Sequence, residues 1–119
     1  MEVRKMSNAV KVVNPDEVRK MSKKGVHLII QGCGGDLNEW IDGITGMLKE
    51  DGIMNNSDSV ENVYRFDNNG ICNLIFSNID KVANIGKLAM WRLRWYSQFN
   101  GMWLDDYVHN YMNNNEEED

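Results

Sequence analysis

The chain has 119 residues and 13.8 kDa, the size of one ordinary domain and too short for two. Apolar residues make up 42%, which excludes wholesale disorder, and no apolar run approaches the roughly 18 residues of a membrane span. A net charge of −5 argues against a dedicated nucleic-acid binder, whose domain is usually basic.

The charge is uneven along the chain. Residues 1–25 carry seven Lys/Arg against three Asp/Glu, and residues 26–79 carry two against eight. Residues 80–104 are basic again, four against one, and residues 105–119 hold six acidic groups and no Lys or Arg. The opening MEVRKMSNAV has no apolar stretch of a secretory signal, and two cysteines make no disulfide framework. Together these predict a reduced, cytoplasmic setting without membrane contact.

In chain order, the first eight residues read as a loose arm, and Ala9–Val13 as a short β-branched edge strand. Asn14-Pro15-Asp16-Glu17 opens a basic helix to about Lys23, with Asn14 as N-cap, Pro15 at the first helical position and Gly25 at the end. VHLIIQ (26–31) is a compact apolar strand, expected to be central. Gly32-Cys33-Gly34-Gly35 is a tight loop into a second helix, where Asp36 and Glu39 have the spacing of a capping box. Leu37, Trp40, Ile41, Ile44, Met47 and Leu48 form its apolar stripe. Gly43 and Gly46 each lower its propensity by about 1 kcal/mol relative to Ala, so close packing on the sheet is the expected compensation.

Val60–Phe66 and Ile71–Phe76 flank Asp67-Asn68-Asn69-Gly70, and Asn-Gly is the strongest short hairpin signal. A long helix is predicted from about Asp80 to Phe99, broken at Asn100-Gly101, with a short final helix over Met102–Met112. The expected architecture is one α+β domain over residues 1–112, with a three- to four-stranded sheet and helices on one face. Residues 113–119 (NNNEEED) read as a disordered acidic tail.

Chemistry has few places to reside. The strand–glycine loop–helix junction exposes backbone N–H groups, but it lacks the spacing of a dinucleotide fingerprint and the Gly-Lys-Ser/Thr of a phosphate loop. Cys33 near a helix N-terminus is a candidate activated thiol, and the histidines available as its base are His27 and His109. Two cysteines and two histidines at scattered positions show no metal-ligand spacing, and no cofactor is expected. Adjacent Asp105 and Asp106 suit a helix N-terminal turn rather than acid–base chemistry.

The most informative segment is KLAMWRLRWYSQF (87–99). At 100° per residue, Val82, Ile85, Ala89, Leu93 and Tyr96 fall on one face, the expected core stripe. Trp91 and Trp95 fall nearly opposite, with Lys87, Arg94 and Gln98 on their side, and Trp103 follows just after the break. Three uses compete for this Trp/Arg face: packing against the last helix, a protein or homodimer contact, and stacking on nucleic acid. The acidic remainder of the chain disfavours direct nucleic-acid contact.

QGCGGDLNEWIDGITGMLKEDGI (31–53) and NIGKLAMWRLRWYSQFNGMWLDDYV (84–108) resemble small accessory proteins of phages and conjugative elements in Firmicutes. The resemblance implies a context in which small proteins block host defence, as anti-CRISPR or anti-restriction inhibitors do. The resulting expectation is a non-enzymatic binding protein directed at a host defence nuclease or CRISPR effector. Its contact residues would be Trp91, Arg94, Trp95 and Trp103, with Asp105 and Asp106 as an acidic patch standing where phosphates would lie. The alternatives are a small thiol- or anion-dependent enzyme at Cys33 and the glycine loop, and a nucleic-acid-binding accessory regulator.

Overall fold

Two strands, β2 (Leu28–Gln31) and β4 (Ile71–Ser77), decide the architecture. Leu28, Ile29 and Ile30, and likewise Leu74, Ile75 and Phe76, are all fully buried. Successive side chains of a strand point to opposite faces, so an unbroken apolar run demands cover on both sides of the sheet. The computed structural model, which describes residues 10–113, supplies that cover. Leu28, Ile30, Leu74 and Phe76 pack with Ile44 and Leu48 of α2 (Leu37–Glu50) and Leu88 and Trp91 of α3 (Ile85–Arg94). Ile29 and Ile75 pack on the other face with Val18 of α1 (Pro15–Ser22) and Leu104, Tyr107 and Val108 of α4 (Leu104–Val108). The α+β domain is therefore three-layered, and the expected one-sided arrangement of helices is corrected.

The sheet has five strands, not three or four, in the order β1-β3-β4-β2-β5. β1 (Lys11–Val12) runs parallel to β3 (Asn62–Asn68), and the other pairings are antiparallel. The β3–β4 hairpin closes more tightly than the sequence suggests. Asn68 pairs with Ile71, leaving Asn69 and Gly70, at φ 54° and 79°, as a two-residue turn. β5 (Asn100–Trp103) lies where the sequence reads as a helix breaker. Its four residues, NGMW, carry little strand signal, and pairing with β2 imposes their conformation. The expected long helix is likewise divided: a 3-10 turn at Ile79–Lys81 precedes Asn84, whose side chain accepts from the Lys87 N–H and starts α3 afresh. The final helix begins at Leu104 and ends in a π-helical turn, His109–Asn113. The N-terminal arm and residues 114–119 of the acidic tail lie outside the described residues.

Local signals hold well around α1. The Asn14 side chain accepts from the Glu17 N–H at 2.8 Å, and Glu17 accepts from the Asn14 N–H at 2.9 Å. The far end of α1 is tied down by His27. Its Nδ1 accepts from the backbone N–H of Asn78 at 2.9 Å, which fixes the proton on Nε2. Nε2–H is shared between the carbonyls of Met21 at 2.9 Å and Lys24 at 2.6 Å, in the last turn of α1 and just past its C-cap. Gly25, at φ 81°, has Asn78 Oδ1 only 2.6 Å from where a Cβ would stand, so no other residue fits this corner.

Replacing His27 by Ala should therefore lower unfolding free energy by about 2 kcal/mol or more, because buried partners are left unsatisfied. His109→Ala, at an exposed position, should stay within about 0.5 kcal/mol. Urea titration followed by circular dichroism measures both.

Candidate functional site

α3 is the segment on which the functional expectation rests, and it is turned about its axis relative to that expectation. The residues it buries are Leu88 and Trp91. Trp91 is 1% exposed, and its indole N–H donates to Asp51 Oδ2 at 3.0 Å. Trp95 is half-buried, with its ring stacked 9° from the plane of Phe99. Both tryptophans thus belong to an aromatic cluster and not to an open face. Phe99 is its hub: Trp91 packs tilted at 5.4 Å, and Trp40 of α2 meets it edge-on at 6.5 Å.

Leu93 and Tyr96, expected inside, are turned outward, and Met90, which was not part of the expected stripe, is exposed with them. Met90 and Leu93, three residues apart on α3, are 63% and 64% exposed, and Tyr96, in the turn just past its end, is 65% exposed. The segment is apolar on several sides, so periodicity does not say which side wins. Tight packing of two large indoles against Phe99 buries more area than Leu93 and Tyr96 would, and that settles the rotation. Met90, Leu93 and Tyr96 were missed as surface residues for that reason. The only signal in the sequence was an aromatic surplus that one core stripe cannot absorb.

The remaining expected residues flank these side chains. Arg94 is exposed and lines a shallow groove of about 280 Å³ with Lys87, Met90 and Asp51. Trp103, Asp105 and Asp106 line a second depression of about 380 Å³, floored by Val26, Ile85 and Ala89. Gly86 borders both, so the outward side of α3 runs between a basic flank and an acidic one. Trp103 itself lies beneath Arg92, whose guanidinium is 5.0 Å from the ring centroid and donates to the carbonyl of Gly101 at 3.2 Å. Arg92 thereby covers the outer edge of β5, where an unpaired carbonyl would otherwise invite strand addition. Arg92 Nε and Trp95 Nε1 are buried without a hydrogen-bond partner among the described residues.

The glycine loop uses its own donors. Gly32 N–H donates to Asn73 Oδ1 at 3.3 Å and Cys33 N–H to the Cys72 carbonyl at 2.8 Å, while Asp36 accepts from the Asn38 N–H and caps α2. An anion arriving there would meet a carboxylate and spent N–H groups. Cys33 is 1% exposed, and burial, with a smaller contribution from Cys72, pushes its thiol up to about 12. That is the opposite of activation. The ring nitrogens of His27 are held by Asn78 and the α1 carbonyls, so no base faces this thiol from β2. No group of three or more His, Cys, Asp or Glu side chains suited to a metal occurs among the described residues, nor is any of their helices long and apolar enough to cross a membrane.

Two outcomes follow from this geometry. Trp91→Ala should cost about 3–5 kcal/mol, a large share of the stability of a domain this size, and broaden the thermal transition or abolish it. Iodoacetamide at pH 8 should leave Cys33 unmodified in the folded chain and label it only in urea, as peptide mass spectrometry would read. Because the folded thiol titrates above the unfolded one, this protection belongs to the neutral range and is lost as pH climbs toward about 12. Set beside known proteins, the chain matches no family model, no curated protein and no solved structure.

Proposed function

We propose that the chain is a non-enzymatic protein-binding inhibitor from a mobile genetic element, directed at a host defence nuclease such as a CRISPR effector. The observation that supports this reading is the set of outward apolar side chains at the end of α3. Single exposed apolar side chains are ordinary, but three large ones within seven residues, Met90 and Leu93 on α3 and Tyr96 in the turn after it, support a contact surface. Met, Tyr and Arg are also the residue types enriched where proteins meet.

In this reading Met90, Leu93 and Tyr96 are the apolar anchors and replace Trp91 and Trp95 in that role. Arg94 and Lys87 on one flank, and Asp105 and Asp106 on the other, set the orientation of docking. Trp103 shapes the acidic depression from beneath Arg92. The carboxylates stand where a nuclease expects phosphates, so a partner built to hold nucleic acid presents complementary charge to them. A thiol enzyme at Cys33 is disfavoured by the same burial that raises its pKa.

The test is affinity capture from a Firmicute lysate with wild type and with a Met90→Asp/Leu93→Asp variant, followed by DNA cleavage assays on the purified captured protein. Both substitutions lie at exposed positions and should change stability by less than about 1 kcal/mol. A nuclease retained by wild type, lost by the variant and inhibited in cleavage is the expected result. Capture that survives the double substitution overturns the α3 surface. Self-association with no defence nuclease retained overturns the inhibitor reading.

A further inference from the structure

A second surface, on α2, has features that core packing leaves unexplained. Gly43 sits inside a helix of 14 residues, where Gly costs about 1 kcal/mol relative to Ala. Close packing is not its compensation: a Cβ at Gly43 would meet no heavy atom within 4 Å, and the same holds at Gly46. The space beside Gly43 is a groove of about 330 Å³ between α2 and the segment that carries Phe99. A larger side chain at position 43 would fill it.

Its walls are two aromatic rings set at 85° to one another, Trp40 and Phe99, with Ile44 below. Neither ring is free to collapse into the groove. Trp40 is anchored by its indole N–H, which donates to the Gly34 carbonyl at 2.9 Å, and Phe99 is wedged against Trp91 and Trp95. At the rim stand the exposed carboxylates of Asp36 and Glu39. They oppose the half-charge of the helix N-terminus and leave the rim hostile to anions.

Two aromatic rings set at right angles beside two carboxylates match one chemical group best. A guanidinium can stack on an indole while its N–H fork engages a carboxylate, whereas an ammonium offers only a point charge. We propose that this groove receives an arginine side chain from the basic surface of a partner protein. The inference rests on the reading that the partner handles nucleic acid and is therefore rich in such residues. Glu39 pairs with the guanidinium, Trp40 stacks on it, and Gly43 keeps the floor open.

The experiment is a two-dimensional ¹H–¹⁵N NMR titration with acetylated, amidated Gly-Arg-Gly, and with the same tripeptide carrying citrulline or lysine. A single side chain in a preformed groove gives a Kd on the order of millimolar, within reach of this method. The Trp40 indole N–H and the Gly34 and Gly43 amides should shift saturably with arginine. Citrulline, which keeps the shape and removes the charge, should bind at least about tenfold more weakly. Gly43→Leu should abolish binding while raising helix propensity, and Glu39→Gln should weaken it several-fold with the spectrum otherwise unchanged.

Equal response to citrulline, or wild-type binding by Gly43→Leu, overturns the proposal. Arginine binding without any nuclease captured upholds the groove and overturns only the nuclease reading. Absence of arginine binding while nuclease capture persists overturns the groove alone.

Discussion

A pair of strands without a polar face is the constraint from which the remaining structure follows. Every residue of Leu28–Ile30 and Leu74–Phe76 is removed from water, so neither side of the sheet can be left open. At about 1.5–3 kcal/mol for each large apolar side chain fully buried, exposing either face would forfeit more than the net stability of a small domain. Helices must then cover both faces, and the chain has enough of them only if its last third supplies two. The break at Asn100-Gly101 makes this division, and the intervening NGMW extends the sheet by pairing with β2. α4 is drawn to the opposite layer, where Tyr107 packs edge-on to Phe66 and its hydroxyl accepts from Asn68 at 2.8 Å.

Much of this was legible in the residues. The capping pair of Asn14 and Glu17, the Asn-Gly hairpin and the start of α2 at Asp36 all depend on neighbours a few positions apart, and local chemistry fixed them. The unalternating run VHLIIQ already carried the two-faced sheet, since a half-exposed strand would alternate with period two. β5 was not legible, because four residues including Asn and Gly acquire strand geometry only from a partner distant in sequence. The facing of α3 was not legible either. Leu88, Trp91 and Trp95 compete with Leu93 and Tyr96 for the interior, and the winner is chosen by Phe99 and by an acceptor, Asp51, supplied from the end of α2.

His27 and Cys33, which looked chemical in the sequence, are absorbed by the fold, while Leu93 and Tyr96, which looked like core, face water. His27 has both ring nitrogens committed to backbone groups of α1 and the β4 end. Cys33 is sealed under the first sheet layer, with its thiol hydrogen directed at the Ile30 carbonyl at 3.4 Å. Residue type alone therefore mispredicts role here. A nucleophile needs access and a base, and a buried thiol whose nearest histidine in sequence lies at the far end of β2 with both ring nitrogens committed has neither.

The departures from local rules differ between the two layers, and that difference bears on function. On the α1/α4 side the start of α1 is capped, a buried histidine is saturated and a buried tyrosine is hydrogen-bonded, while α4 starts without a side-chain cap, ends in a π-helical turn and faces the unpartnered amide nitrogen of Gln31. The α2/α3 side holds helical glycines with no packing need, three large apolar side chains facing water, and two buried N–H groups on Arg92 and Trp95 without acceptors. A helical glycine costs roughly 1 kcal/mol relative to Ala, and a buried N–H without an acceptor about 1–3 kcal/mol. The departures on the α2/α3 side differ in kind, because they leave apolar side chains and open space facing water. Proteins concentrate such departures where a surface serves something besides stability, and two are found here, exposed apolar side chains at the end of α3 and an acid-rimmed aromatic groove on α2. Both belong to the α2/α3 layer, so a partner could engage either without disturbing the helices on the opposite face of the sheet.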